Sequence, residues 1–175
     1  MSYFGITKDG TTLATVCIDY VHHEIHDSKL FTYQDVITLA SSGSMSYMIT
    51  TGSTTKWAHF GYDMECIGPM TIEVYEGSDR SGSVVQTTWN RNRNSSASAV
   101  TVIHKGVTGG STDGTRIRWW QGGVANNKTQ FGGAPGSFRE IILKQNTKYE
   151  LKLLSGMADN ITSIHFNWYE HTNVS

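Results

Sequence analysis

Residues 57–64 read Trp57-Ala-His-Phe-Gly-Tyr-Asp-Met64. Ala58, Phe60, Tyr62 and Met64 occupy every second position, with His59, Gly61 and Asp63 between them. Successive side chains of an extended chain point to opposite faces, so this spacing predicts a strand with one buried face. A helix would need its apolar residues three and four apart. The period of two decides for β.

The same rhythm recurs on either side. Met70, Ile72 and Val74 alternate with Thr71 and Glu73. Tyr149, Leu151 and Leu153 alternate with Glu150 and Lys152, and Ile164, Phe166 and Trp168 with His165, Asn167 and Tyr169. Less regular strand-like runs cover 13–26, 45–51, 84–89, 99–104, 116–121 and 140–143. Gly/Ser/Asn-rich turns fall at 77–82, 109–114 and 145–147. Residues 36–40 fit either a short strand or a helical turn, and no stretch carries an amphipathic helix of three turns. Residues 122–136, rich in Gly and Asn, read as a long exposed loop, the kind of segment where binding function concentrates. About ten short strands between such turns predict an all-β fold, an antiparallel β-sandwich or jelly roll. With 175 residues and no internal linker or repeat, the chain reads as a single domain. Residues 1–25 form a short N-terminal arm and first strand, and residues 26–175 the sandwich.

Composition narrows the function. The formal net charge is −1 and only 17% of residues are charged, which argues against a nucleic-acid partner. The one basic cluster, Asn90-Arg-Asn-Arg-Asn94, sets two arginines among turn-forming asparagines. No apolar run approaches the roughly 20 residues that span a bilayer, and the first residues lack the layout of a secretion signal, so no membrane partner is expected. Cys17 and Cys66 are too few for a disulfide framework and are expected as small buried hydrophobes in a reducing cytosol.

Chemistry-bearing residues gather at Tyr20-Val-His-His-Glu-Ile-His-Asp27, which holds three of the seven histidines. If residues 13–26 are extended, His22, Glu24 and His26 share a face and are the candidate metal ligands. Same-face residues of a strand lie roughly 6.5–7 Å apart, too far for one small ion. The metalloprotease pattern also fails, since His23-Glu-Ile-His26 is one residue short of it. The stretch is therefore expected to be a polar strand end, with no metal or other cofactor. Neither a Gly-x-Ser-x-Gly elbow nor a phosphate-binding loop is present. Asp79, Asp113 and Asp159 lie in turns, where Asp bonds the backbone. The adjacent Trp119 and Trp120 point to opposite strand faces, and Phe31 and Tyr33 share one. These four are the candidate partner-binding residues, because Trp and Tyr anchor interfaces.

Several longer pieces carry a resemblance. They are Glu140-Ile-Ile-Leu-Lys-Gln-Asn-Thr-Lys-Tyr149, Gly156-Met-Ala-Asp-Asn160 and Phe166-Asn-Trp-Tyr-Glu-His171, together with His26 to Tyr33, Thr54 to Phe60 and Tyr75 to Ser83. In this order the chain resembles virion proteins of tailed bacteriophages, and is similar to head decoration (cement) proteins. The resemblance spans residues 26–171; residues 1–25 carry none of it. It implies a non-enzymatic jelly-roll module, made in the host cytoplasm, that binds the outer surface of the phage head. Its partners would be the major capsid protein and further copies of itself, a trimer being expected. Exposed tryptophans and long Gly/Asn-rich loops fit a second expectation, a tail-associated module that recognises a receptor or glycan.

Overall fold

The computed structural model describes residues 7–8, 11, 15–16, 20–123, 131–132 and 140–172. Thr7–Lys8 (β1) and Thr15–Val16 (β2) form a two-stranded ladder, followed by a helix, Tyr20–His26 (α1). The sandwich begins with β3 (Leu30–Leu39), β4 (Ser44–Thr50), β5 (Lys56–Cys66) and β6 (Met70–Glu76). It continues through β7 (Ser81–Val85), β8 (Trp89–Asn90), β9 (Val102–Thr108) and β10 (Thr115–Gly122). It ends with β11 (Phe131–Gly132), β12 (Ile141–Leu143), β13 (Lys148–Ser155) and β14 (Asn160–Thr172).

Two antiparallel sheets face each other. The first runs β10-β6-β13-β4-β9-β7, the second β11-β5-β14-β3-β8, with β12 also on β5. Strand partners are nested: β3 pairs with β14, β4 with β13, β5 with β12 and β6 with β10. A long hairpin folded back on itself and rolled across two sheets gives this order. It is a jelly roll. The segment β7–β9 is an insertion that widens the first sheet beyond β4 and the second beyond β3.

The alternating residues supply the core. From the second sheet come Phe31, Tyr33, Ala58, Phe60, Tyr62, Met64, Ile164, Phe166 and Trp168. From the first come Tyr47, Ile49, Met70, Ile72, Val74, Tyr149, Leu151 and Leu153. Phe166 sits at the centre, fully buried, with the rings of Tyr33, Tyr47 and Phe60 within 5.2–5.7 Å of its own. The two sheets are also tied by polar contacts. Asp35 of β3 accepts a hydrogen bond from the Tyr47 hydroxyl at 2.7 Å and pairs with Lys105 at 2.6 Å. Burial pushes the Asp35 carboxyl up, but Lys105 and Tyr47 together hold it below its ordinary value.

The predicted strands at 57–64, 70–74, 149–153 and 164–168 are all present, and residues 36–39 continue β3, which ends before Ala40. The strand expected over 84–89 divides into β7 and β8, and the one expected over 99–104 begins three residues later as β9. The strand expected over 13–26 is corrected: it is β2 followed by α1. The helix ends because Ser28 turns left-handed at φ 59°. The Lys29 and Ser28 amides then reach back to the carbonyls of Glu24 and Ile25, both at 3.0 Å, a capping motif that satisfies the last turn. Cys66 is buried as expected, whereas Cys17 lies outside the described residues. Of the expected loop at 122–136, only Gly122, Gly123 and the short β11 are described.

Candidate interaction surface

The helix rearranges the histidine stretch. His22 and His26 are i,i+4 neighbours with Nε2 atoms 3.0 Å apart, both exposed to solvent. Glu24 does not join them. It turns to the opposite side and is 3% exposed, packed against the sandwich. The common face of His22, Glu24 and His26 expected from an extended chain is therefore absent. Tyr20, one turn before Glu24, lays its ring edge-on against Tyr169 of β14 at 5.7 Å, which docks α1 on the outer face of the second sheet.

The aromatic candidates separate equally clearly. Phe31 and Tyr33 share a face as expected, but that face is the core, at 3% and 5% exposure. They are packing residues, and their expected role in partner binding is corrected. Burial and the neighbouring Asp35 carboxylate push the Tyr33 hydroxyl well above its ordinary value, as befits an interior phenol. Trp119 and Trp120 point to opposite faces. Trp120 packs against the core, its indole lying over Gly122, where any Cβ would collide with the ring at 2.4 Å. Trp119 is 57% exposed. Trp119 and Trp120 line a recess of about 400 Å³ at the rim of the sandwich, together with Ile117, Arg118, Tyr62 and Met64.

A second surface was not singled out by the sequence. On the outer face of the second sheet, Thr32, Gln34, Thr87, Trp89, Asn90, Arg91 and Arg93 line a groove of about 660 Å³. The Asn90-Arg-Asn-Arg-Asn94 run builds its wall, and the two residue types divide the work. The Asn90 amide donates to the carbonyls of Ser28 at 2.8 Å and Ala97 at 3.3 Å, while its oxygen accepts the Asn92 amide N–H at 2.8 Å. The Asn92 side chain donates to the Ser28 hydroxyl at 3.1 Å, and its oxygen accepts the Asn94 N–H at 3.2 Å. Side-chain caps of this kind fix a loop without regular structure. Asparagines bolt the loop to the α1–β3 turn, and the arginines between them are left to project.

Arg91 and Arg93 are exposed, and among the described residues neither forms an ion pair. The Arg93 guanidinium stands 4.9 Å from the centre of the Trp89 ring. Trp89 is itself 52% exposed. A rigid indole flanked by two uncommitted guanidinium groups, hydroxyls and amides suits a partner that offers carboxylates and flat or apolar groups. The available signal was the Trp immediately before an alternating Asn/Arg run.

Three carboxylates elsewhere are consumed by structure. Asp79 accepts the Ser111 and Thr112 amides at 2.9 Å each and the Ser111 hydroxyl at 2.7 Å, so it holds the 109–114 turn, and these bonds keep its carboxyl below the ordinary value. Asp113 pairs with Arg80 and with Lys152. The buried Glu170 accepts the amides of Val100 at 2.9 Å and Thr101 at 2.7 Å and the Trp168 indole N–H at 3.1 Å. No protein-family model, characterised protein or solved structure matches this chain.

Proposed function

We propose that the protein is a non-enzymatic structural component of a tailed-phage head, a decoration module that clasps the outer capsid surface and stabilises its lattice. The observation that carries this reading is the placement of the large exposed apolar side chains. Trp89, Trp119, Val36 and Val85 are each more than half exposed, and they belong to different strands on both sheets of one tightly packed jelly roll. An enzyme concentrates its reactive groups in one cleft, whereas a clamp on a lattice needs several modest contacts on different sides of a stiff body. Binding only the assembled shell stabilises it by mass action, and repetition over the lattice multiplies weak contacts into strong retention. The resemblance over residues 26–171 supports the same reading. The partners it implies are the major capsid protein and further copies of this chain, with a trimer as the expected oligomer. The groove at Trp89, Arg91 and Arg93 is the surface proposed to meet an acidic segment of the capsid protein.

A second reading is favoured by that same groove. An exposed indole beside Thr32, Gln34 and Asn90 also suits a sugar ring, as a tail-associated receptor-binding module would require. Sedimentation separates the two. The purified chain is expected to travel with mature, emptied heads at a fixed ratio of copies per capsid subunit. Absence from the head pellet together with retention on a glycan array would replace the first reading with the second.

A further inference from the structure

His59 of β5 and His171 of β14 lie on the outer face of the second sheet, beside α1. The β5–β14 register sets Tyr169 opposite His59 and His171 opposite Trp57, so the two imidazoles sit on neighbouring rungs. Their Nε2 atoms are 2.9 Å apart. The other nitrogen of each ring is already committed. His59 Nδ1 lies 2.7 Å from Glu140 Oε1, and His171 Nδ1 lies 2.8 Å from the Thr172 carbonyl oxygen. The Thr172 carbonyl can only accept, so His171 Nδ1 carries its hydrogen. His59 Nδ1 also lies 2.9 Å from the Tyr169 hydroxyl, but its nearer partner is the Glu140 carboxylate. That carboxylate can only accept and also takes the Tyr169 hydroxyl hydrogen, so the hydrogen is assigned to Nδ1 there as well. In the neutral rings, both Nε2 lone pairs then point into one shared space. Neither has a hydrogen to offer the other.

We propose that His59 and His171 form a two-imidazole site for a divalent transition ion of the Cu²⁺, Ni²⁺ or Zn²⁺ class. A positive ion in that space turns the opposed lone pairs from repulsive to bonding. With each nitrogen about 2.0–2.1 Å from the ion, a 2.9 Å separation corresponds to a ligand–metal–ligand angle of about 90°. That is the angle between adjacent ligands in square-planar or octahedral complexes, which favours Cu²⁺ and Ni²⁺; tetrahedral Zn²⁺ needs the rings a few tenths of an ångström further apart. Ligating histidines characteristically hand their second N–H to a carboxylate or a backbone carbonyl, which fixes the tautomer and aims the lone pair. Both arrangements are present here, one on each ring. Tyr169 stacks on His59 with ring centres 4.4 Å apart and donates its hydroxyl to Glu140 at 3.1 Å, holding ring and carboxylate together. Hard ions such as Ca²⁺ have no oxygen cage at the two nitrogens and are rejected.

Two other groups nearby are weaker competitors. His22 and His26 also bring their Nε2 atoms within 3.0 Å, but on the exposed face of a seven-residue helix and, among the described residues, without such anchors for their second nitrogens. His23, Glu24 and Asp27 lie within reach of one ion, yet Asp27 is already bound to Lys29 at 2.8 Å.

The test is isothermal titration of the tag-free full chain with Cu²⁺, Ni²⁺, Zn²⁺ and Ca²⁺. In His22→Ala/His26→Ala protein, one transition ion per chain is expected to remain bound, with no Ca²⁺ uptake. Adding His171→Ala is expected to weaken that binding by about ten-fold or more, and Glu140→Gln by about ten-fold through the loss of ring anchoring. Ni²⁺ is expected to raise Tm in the parent and not in the His171→Ala variant. Electron paramagnetic resonance of the first Cu²⁺ equivalent in the His22→Ala/His26→Ala protein, which needs no change at the site, is expected to show two nitrogen ligands. Unchanged affinity after His171→Ala, or a first Cu²⁺ without nitrogen ligation, would overturn the assignment.

Discussion

Trp168 and Trp89 are both followed, within a few residues, by a charged side chain that touches the indole, and the two pairs do opposite things. Trp168 is 1% exposed, and its N–H donates to Glu170, which also takes two backbone amides from the start of β9's approach. Every hydrogen-bonding need is met inside the protein. Trp89 is half exposed under Arg93, with no carboxylate paired to that guanidinium among the described residues. The first pair is closed and belongs to the fold; the second is open and is the one we propose a partner covers. A charged residue beside a tryptophan thus says nothing until its remaining bonds are counted.

Substitutions can break this contrast, and the largest effect is expected in the closed pair. Trp168→Ala should cost about 3–5 kcal/mol, because it removes a fully buried aromatic and leaves a cavity. Urea unfolding reads this directly, and a cost under about 1 kcal/mol would mean that the indole is not in the core. Glu170→Gln keeps the shape but turns one acceptor oxygen into a donor that faces N–H groups. It should cost about 1–3 kcal/mol in the same assay, the penalty for a buried group left unpaired.

Asp35 is the intermediate case, partly buried and ion-paired between the sheets. Its carboxyl is held below the ordinary value, so its contribution is present above the unfolded value of about 3.9 and is lost as pH falls through the lower, folded one. Asp35→Asn should therefore flatten the fall of stability on acidification below about pH 4, relative to the unaltered chain. Thermal melts across that window check it, and identical slopes would remove Asp35 from the account. The smallest stability effect belongs to the open pair. Trp89→Ala and Arg93→Ala should each shift stability by no more than about 0.5 kcal/mol.

The sandwich could be read from the chain because burial on one face of a strand imposes a period of two, and residues 57–64 keep it without a break. β3 was harder. Ile37 and Leu39 belong to the core, but Val36 on the opposite face is apolar and 65% exposed, so the run does not alternate cleanly between apolar and polar. The seven-residue helix was invisible for a different reason. It is too short to show a helical period, and it is held by Tyr20 on Tyr169 and by the buried Glu24, contacts with a strand nearly 150 positions away. Such docking is tertiary and leaves no local trace. The same docking placed His22 and His26 together and removed Glu24 from them. Phe31 and Tyr33 stand out in the sequence as aromatics, yet type alone does not tell which side of a sheet becomes the interior. The Trp89 groove depends on asparagines bonding to the α1–β3 turn some 60 residues earlier, and an Asn/Arg alternation taken alone resembles any solvated loop.

The central claim is that the open tryptophan is a docking residue on a rigid module, and the affinity of Trp89→Ala protein for mature heads tests it most directly. Binding is expected to weaken about ten-fold or more while Tm stays within a degree or two of the unaltered chain, the signature of an interface anchor. Undiminished binding by the Trp89→Ala protein would contradict the account.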